Sequence, residues 1–272
     1  MTALRSFPIT RVDAFADRPF TGNPAAVMPL EEWLSDAMLQ AMAAENNLAE
    51  TAFLVPDESG EADYELRWFT PTIEVALCGH ATLASGHVLL SAAQWRSEMR
   101  FSTRKAGILQ VARNGDDEGY RMDLPAYRAI AKPLPDIARA MGGNVVETLW
   151  HDGGYALIVY HSAEEVRALK PDLAALSEGD ILYIATAPGA GDPSGADVVS
   201  RAFAPGAGIP EDPVTGSAHS VLTPYWTTRL GRDTFAAYQA STRGGHVGCR
   251  LIGDQVELTG QCVTTLAGEF LL

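Results

Sequence analysis

Two side chains in the first half of this 272-residue sequence have the chemistry that proton transfer requires. Glu50 stands between a helical pattern and the apolar run 52–55. A carboxylate that loses water at such a place acquires a raised pKa, which suits a general base near neutral pH. His80 falls in the first turn of an apolar helical segment, where the helix dipole disfavours its charged form. We therefore expect a neutral imidazole that relays a proton. The alternatives are a solvated strand-edge glutamate and a structural histidine of the core.

The second half of the sequence contributes one further carboxylate. Asp212 lies within Glu-Asp-Pro at 211–213, four residues before Gly216. The matching position of the first half is the apolar Val75. A carboxylate in one half only suits proton transfer in one direction, whereas an Asp-Pro turn initiator is the structural alternative.

A glycine opens an apolar helical segment in each half, at Gly79 and at Gly216. The first N–H groups of a helix have no partner within the helix and carry the positive end of its dipole. Two such helix starts, with His80 and Ser217 beside them, predict an anion site. The alternative is that both glycines only permit close packing.

The elements that must position these residues are a mixture of strands and helices, which indicates the α+β class. Periodicity predicts helices at 31–46, 79–93, 163–169 and 216–230. Strand patterns occur at 11–16, 25–28, 51–55, 64–69, 108–112, 120–124, 155–160, 181–186 and 197–203, and again near the C-terminus. Three prolines within 125–135 make that stretch the predicted linker.

An internal repeat underlies this order. The segment Phe-Thr-Pro at 69–71 precedes Glu74 and Cys-Gly-His-Ala at 78–81, and the segment Phe-Ala-Pro at 203–205 precedes Glu211 and Thr-Gly-Ser-Ala at 215–218. The sequence therefore predicts two copies of one fold.

Composition excludes several functional classes. The formal net charge is −14 without any basic run, so nucleic acid is not an expected partner. The three cysteines have no CxxC spacing and the histidines form no ligand pattern, so we expect neither disulfides nor a metal. Phosphate-binding and cofactor motifs are missing from the sequence, which favours an enzyme without a cofactor. No apolar run reaches the length of a membrane span, and we expect a cytoplasmic protein.

Four ordered motifs resemble the phenazine-biosynthesis PhzF-like family. They are Val-Asp-Ala-Phe at 12–15 with 20–27, the segment 47–53, the pair 66–71 and 77–84, and the pair 201–205 and 211–219. The resemblance covers nearly the whole chain. It implies a diaminopimelate-epimerase-like fold, in which each of two similar domains wraps a curved mixed sheet around a central helix.

The resemblance also implies a domain division, an assembly and a set of site residues. From the resemblance we expect one domain at 1–124, joined by a last strand near 261–272, a second domain at 125–260, an active site between them, and a homodimer. Glu50 takes the place of the family's acid/base glutamate, and His80 and Asp212 take its other catalytic positions. Asn23, Gly79, Gly216 and Ser217 are the expected substrate-binding residues.

Two departures separate this sequence from its relatives. Cysteine-dependent epimerases of this fold have a thiol at both glycine turns, but here Cys78 is matched by Thr215. Near the C-terminus, 238–240 and 243–246 differ from the family pattern, so phenazine synthesis itself is not predicted.

The leading hypothesis is an isomerase that moves a proton between carbons of a small carboxylate-bearing metabolite through Glu50. The alternatives are an amino-acid epimerase or racemase that uses Cys78, and a non-catalytic ligand-binding or interaction protein.

Overall fold

The computed structural model describes residues 5–115 and 118–272. These residues divide into two compact units. Unit 1 comprises the described residues within Met1–Asp123 and Thr259–Leu272, and unit 2 comprises Leu124–Leu258. Both units are α+β, as the sequence predicts. None of the helices in the described ranges has the length and hydropathy of a membrane-spanning segment.

Unit 1 contains two helices, α1 (Asp36–Asn46) and α2 (Gly79–Ala92). Its strands, in chain order, are β1 (Ser6–Ala14), β2 (Asn23–Pro29), β3 (Glu50–Pro56), β4 (Tyr64–Phe69), β5 (Glu74–Val75), β6 (Glu98–Thr103), β7 (Ile108–Arg113), β8 (Tyr120–Pro125) and β18 (Cys262–Leu271). The sheet order is β18-β1-β2-β3-β4-β6-β7-β8, and β5 pairs with the end of β4. The pairs β2–β3 and β4–β6 are parallel, and the others are antiparallel.

Helix α2 lies against this sheet and is buried along most of its length, as its apolar sequence predicts. Strands β1, β2, β3, β6, β7 and β18 all contact it. Gly86 permits a close approach to β7, because a Cβ atom there would lie 2.3 Å from Cγ1 of Val111. The residue at the start of α2 is thereby held in a fixed place relative to the strands.

Helix α1 begins later than its periodicity predicts, at Asp36 rather than at residue 31. The reason is a cap, because the Ser35 hydroxyl accepts a hydrogen bond from the backbone N–H of Met38. Asn47 adopts a left-handed conformation with φ of 47° and ends the helix, close to the predicted stop.

Unit 2 repeats the plan of unit 1 with three helices, α3 (Pro135–Met141), α4 (Ala163–Ala168) and α5 (Gly216–Leu230). Its strands are β9 (Ile130–Ala131), β10 (Glu147–His151), β11 (Tyr155–Val159), β12 (Leu182–Pro188), β13 (Val198–Ala204), β14 (Ile209–Asp212), β15 (Thr234–Gln239), β16 (Gly245–Ile252) and β17 (Gln255–Gly260). The order β9-β10-β11-β12-β13-β15-β16 has parallel pairs at β11–β12 and β13–β15. These correspond to the parallel pairs of unit 1.

The two units also share their strand register. Thr51 on β3 pairs with Phe69 on β4, and Tyr183 on β12 pairs with Phe203 on β13. The predicted repeat is therefore a repeat of structure.

Helix α5 includes Pro224, which cannot donate a hydrogen bond to the carbonyl of Ser220. The backbone N–H of Tyr127 donates to that carbonyl instead, at 3.0 Å. The predicted linker 125–135 is thus partly ordered by α5, and it contains β9. Its last proline opens α3 rather than ending a loop, since proline is well tolerated at the first helical position.

Candidate functional site

Glu50 and His80 lie side by side in unit 1. Glu50 is the first residue of β3, and His80 is the second residue of α2. They are only 8% and 4% exposed, so Glu50 is not a solvated strand-edge residue. His80 Nε2 lies 3.0 Å from Glu50 Oε2. Within the described residues, Oε2 has no hydrogen bond of good angular geometry, so it retains the capacity to accept a proton.

The other ring nitrogen of His80 faces two more side chains. Asn23, the first residue of β2, is fully buried and places its amide nitrogen 3.2 Å from Nδ1 of His80. The Sγ atom of Cys78 lies 3.5 Å from the same nitrogen. The structure therefore brings Asn23, which was predicted to bind substrate, directly against the catalytic candidate His80.

The charges of this cluster follow from its burial and its close contacts. Burial, with the Glu50 charge as a further cause, raises the pKa of the Cys78 thiol to about 11. Burial also lowers the pKa of His80, but Cys78 and Glu50 raise it, and the net direction is upward. This direction is opposite to the one that the helix-dipole argument predicts for the pKa of His80, because that argument left out the adjacent Cys78 and Glu50 side chains.

Glu50, Cys78 and His80 also offer one donor atom each within 4.8 Å of one another, a spacing that could hold a metal ion. The sequence predicted no metal because the histidines have no ligand spacing. That reasoning could not detect this cluster, since its members come from a strand and a helix separated by 27 residues or more of chain.

Paired ions brace the loops that lead into α2 and α5. Arg67 binds Glu74 through two hydrogen bonds of 2.8 and 2.9 Å, and Arg201 binds Glu211 through two of 2.7 and 2.9 Å. Each guanidinium also lies over the phenylalanine two residues later in its strand, Phe69 at 5.0 Å or Phe203 at 4.9 Å. Both helix starts are thus anchored to the strand that precedes them.

The starts of α2 and α5 present backbone N–H groups, and whether they bind an anion stays a prediction. Neither Cys78 nor Thr215, the residues that precede Gly79 and Gly216, caps its helix with a side-chain hydrogen bond. Those backbone donors are the groups that an anion would use at each helix start.

Asp212 lies in unit 2, at the end of β14, and is half-buried. The Thr215 hydroxyl donates to its Oδ2 atom at 2.5 Å. Gln239 on β15 is fully buried and accepts from the Thr215 backbone N–H at 2.9 Å. The Gln239 amide nitrogen donates to the Asp212 carbonyl at 2.7 Å and to Thr215 Oγ1 at 3.1 Å.

Ser217, the second residue of α5, is partly exposed and hydrogen-bonds to the phenol of Tyr155 on β11. The Tyr155 ring lies 5.2 Å from that of Tyr127, which stacks on His151 at 4.9 Å. Burial raises the pKa of Tyr155, which therefore stays a neutral phenol at neutral pH.

Asn23, Glu50, Gly79 and His80 thus lie together in unit 1, while Asp212, Gly216 and Ser217 belong to unit 2. Sequence reasoning missed Gln239 and Tyr155. The only signal for Gln239 was its place among the departures at 238–240.

The family model described as "Phenazine biosynthesis-like protein" (PhzC-PhzF) matches residues 12–268. A protein of Pseudomonas aeruginosa named an uncharacterised isomerase is 44% identical over 264 residues, which cover 96% of this chain and 97% of that one. A crystal structure of a PhzF-family phenazine biosynthesis protein from Enterococcus faecalis is 40% identical, with a TM-score of 0.89 over 98% of this chain and 100% of that chain.

A more distant structural neighbour is a hydroxyproline epimerase of Agrobacterium vitis. It is 14% identical, with a TM-score of 0.59 over 98% of this chain and 93% of that chain. At that identity the likeness concerns the fold alone, which agrees with the epimerase-like fold that the motifs implied.

Proposed function

Because the chain belongs to the phenazine biosynthesis-like (PhzC-PhzF) family, we propose that it is an isomerase that moves a proton between carbons of a small carboxylate-bearing metabolite. The observation that carries the proposal is the buried contact of 3.0 Å between Glu50 and His80. The name of its relative in Pseudomonas aeruginosa, an isomerase, supports the reaction class.

In the proposed reaction, Glu50 Oε2 takes a proton from one carbon of the substrate and returns it to another carbon. One C–H bond breaks and one forms, so the substrate is neither oxidised nor reduced. His80 Nε2 lies 3.0 Å from Glu50 Oε2 and the pKa of His80 is raised, so His80 is proposed to exchange a proton with Glu50 during the reaction. General acid–base catalysis of this kind contributes roughly 10²–10⁴-fold to a rate.

We propose that backbone N–H groups at Gly79 hold the substrate carboxylate, with local positive potential from the α2 dipole. This would allow a chain with a net charge of −14 to bind an anion. In unit 2, Asp212 is proposed as a further acid/base group, and Gly216 and Ser217 as further binding residues.

The test is carbon-bound deuterium incorporation in D₂O, read by NMR over a panel of small unsaturated and amino-substituted carboxylates. Glu50→Gln keeps the size of the side chain but removes the base, and we expect the exchange to fall by at least about 10²-fold. Glu31→Gln is the matched control, because Glu31 is an exposed glutamate of the same unit.

Exchange at the wild-type rate in Glu50→Gln would refute the assignment. If no carboxylate exchanges but one raises the melting temperature, the protein is a non-catalytic binder on the same fold.

The proposal extends to a cytoplasmic homodimer, an expectation from the family resemblance. The free state of Cys78, Cys249 and Cys262 is consistent with a reducing compartment. Sedimentation velocity tests the assembly, and a mass of one chain at micromolar concentration would contradict the dimer.

A further inference from the structure

Asp212, Thr215 and Gln239 form a hydrogen-bond relay in which the donor and the acceptor of each bond follow from the chemistry of the groups. The backbone N–H of Thr215 can only donate, so the Gln239 atom 2.9 Å from it must be the amide oxygen. The amide nitrogen of Gln239 then faces the Asp212 carbonyl and Thr215 Oγ1, and it supplies one proton to each. Each polar atom of this buried amide is thereby satisfied.

The donors and acceptors also determine where the proton of the Thr215 hydroxyl points. Thr215 Oγ1 accepts a hydrogen bond from Gln239, so its own proton is available for Asp212 Oδ2 at 2.5 Å. Asp212 Oδ2 is therefore an acceptor, which is the role of an ionised carboxylate.

We infer that Thr215 and Gln239 are positioning residues that hold Asp212 as an oriented carboxylate, Thr215 by donating to Oδ2 and Gln239 by fixing the hydroxyl of Thr215. This inference rests on the proposed function only in so far as Asp212 takes part in the reaction. It explains why position 215 can lack the thiol that two-cysteine epimerases of this fold have. A thiol is a weak donor and could not replace the hydroxyl in this relay.

Unit 1 shows that the relay is not a general property of the repeat. The shared register places Val75 opposite Trp68 and Asp212 opposite Ala202, at the corresponding ends of β5 and β14. Val75 has no carboxylate, and Cys78 stands at the position of Thr215. The relay therefore belongs to the one copy that has the acid.

The experiment measures the pKa of Asp212 directly by ¹³C NMR of the labelled side-chain carboxyl, without substrate. Thr215→Val keeps the shape of the side chain but removes the donor to the charged form. Loss of a hydrogen bond to a charged group should raise the pKa of Asp212 by about one to two units, which is the free energy of such a bond expressed as a pKa shift. Thr215→Ser restores the hydroxyl and should return the pKa to the wild-type value.

Nearby titratable groups must be followed in the same titration. They are the Arg201–Glu211 ion pair on β13 and β14, His219 of α5 and Tyr238 of β15. Burial lowers the pKa of His219 to about 4, so it is neutral when Asp212 is ionised at neutral pH. Thr223→Val is the control, because it removes a buried hydroxyl that donates to the His219 carbonyl in the same helix.

The relay is overturned if Thr215→Val leaves the pKa of Asp212 unchanged, or if Thr215→Ser fails to restore it in a folded protein. Gln239→Met supplies an independent variant, since it removes both amide protons without adding a charge and should also raise the pKa of Asp212. If the proposed function is wrong but the relay exists, the pKa of Asp212 shifts in these variants while no carboxylate exchanges deuterium with the wild-type protein.

Discussion

Replacing Gly86 with alanine tests how firmly α2 is held against its sheet. An alanine Cβ atom would lie 2.3 Å from Cγ1 and 2.6 Å from Cβ of Val111, whereas carbon atoms prefer separations of about 3.5–4.0 Å. The helix or strand β7 would have to move by roughly 1 Å or more. Overpacking of this kind costs about 1–3 kcal/mol, against a gain of about 1 kcal/mol in helix propensity. Contacts as short as 2.3 and 2.6 Å place the overpacking cost in the upper part of that range, so the expected net effect is a loss of stability of about 1–2 kcal/mol.

Urea unfolding of Gly86→Ala measures that loss, and a second substitution tests its cause. Val111→Ala removes both γ carbons of Val111 but keeps the Cβ atom that would lie 2.6 Å from the new alanine Cβ atom. In the double variant Gly86→Ala/Val111→Ala, it should therefore remove only part of the steric overlap. Ser91→Ala is the control, because it adds helix propensity at an exposed position of α2. A Gly86→Ala protein as stable as the wild type would refute the packing argument. Since α2 carries His80, the deuterium exchange of Gly86→Ala should fall as well.

Three further predictions concern Cys78, His80 and Arg201. Cys78→Ser should retain deuterium exchange within a few-fold, because a thiol with a pKa of about 11 supplies little thiolate at neutral pH; loss of exchange would revive the epimerase hypothesis. Because the pKa of His80 is higher in the folded state than in the unfolded state, His80 contributes to the free energy of unfolding. This contribution is fully present below the unfolded-state pKa of about 6.5 and is lost as the pH rises through the folded-state pKa. Thermal unfolding of wild type and His80→Asn should therefore differ most at acid pH, and a difference that grows with pH would contradict this. Arg201→Lys should lower the melting temperature, because lysine cannot make both hydrogen bonds to Glu211, whereas an unchanged melting temperature would show that the brace is dispensable.

Local sequence signals predicted the elements that carry the site. The glycines at 79 and 216 mark the first residues of two buried helices, and both helices begin there in the structure. Periodicity failed for the start of α1, where apolar spacing continues upstream of the actual cap at Ser35.

Contacts across strands could not be predicted in the same way. Thr215 and Gln239 are 24 residues apart in the chain, and their contact depends on how β15 is placed beside the start of α5. The protonation of His80 depends likewise on Glu50, which lies on another strand, whereas the dipole argument considered only its own helix. Such details arise from register, which a single sequence does not display.

The placement of β18 has a consequence for the order in which the protein can fold during synthesis. Strand β1 pairs with β18 from Ser6 opposite Leu271 to Ala14 opposite Cys262, so unit 1 needs residues that follow all of unit 2 in the chain. Unit 2 is continuous, and its residues leave the ribosome before that strand does. The sheet of unit 2 can therefore form first. Until β18 is synthesised, the edge of β1 that pairs with it has unpaired backbone groups, because that partner lies more than 240 residues later in the chain. The nascent chain must protect that edge from other strands throughout its translation.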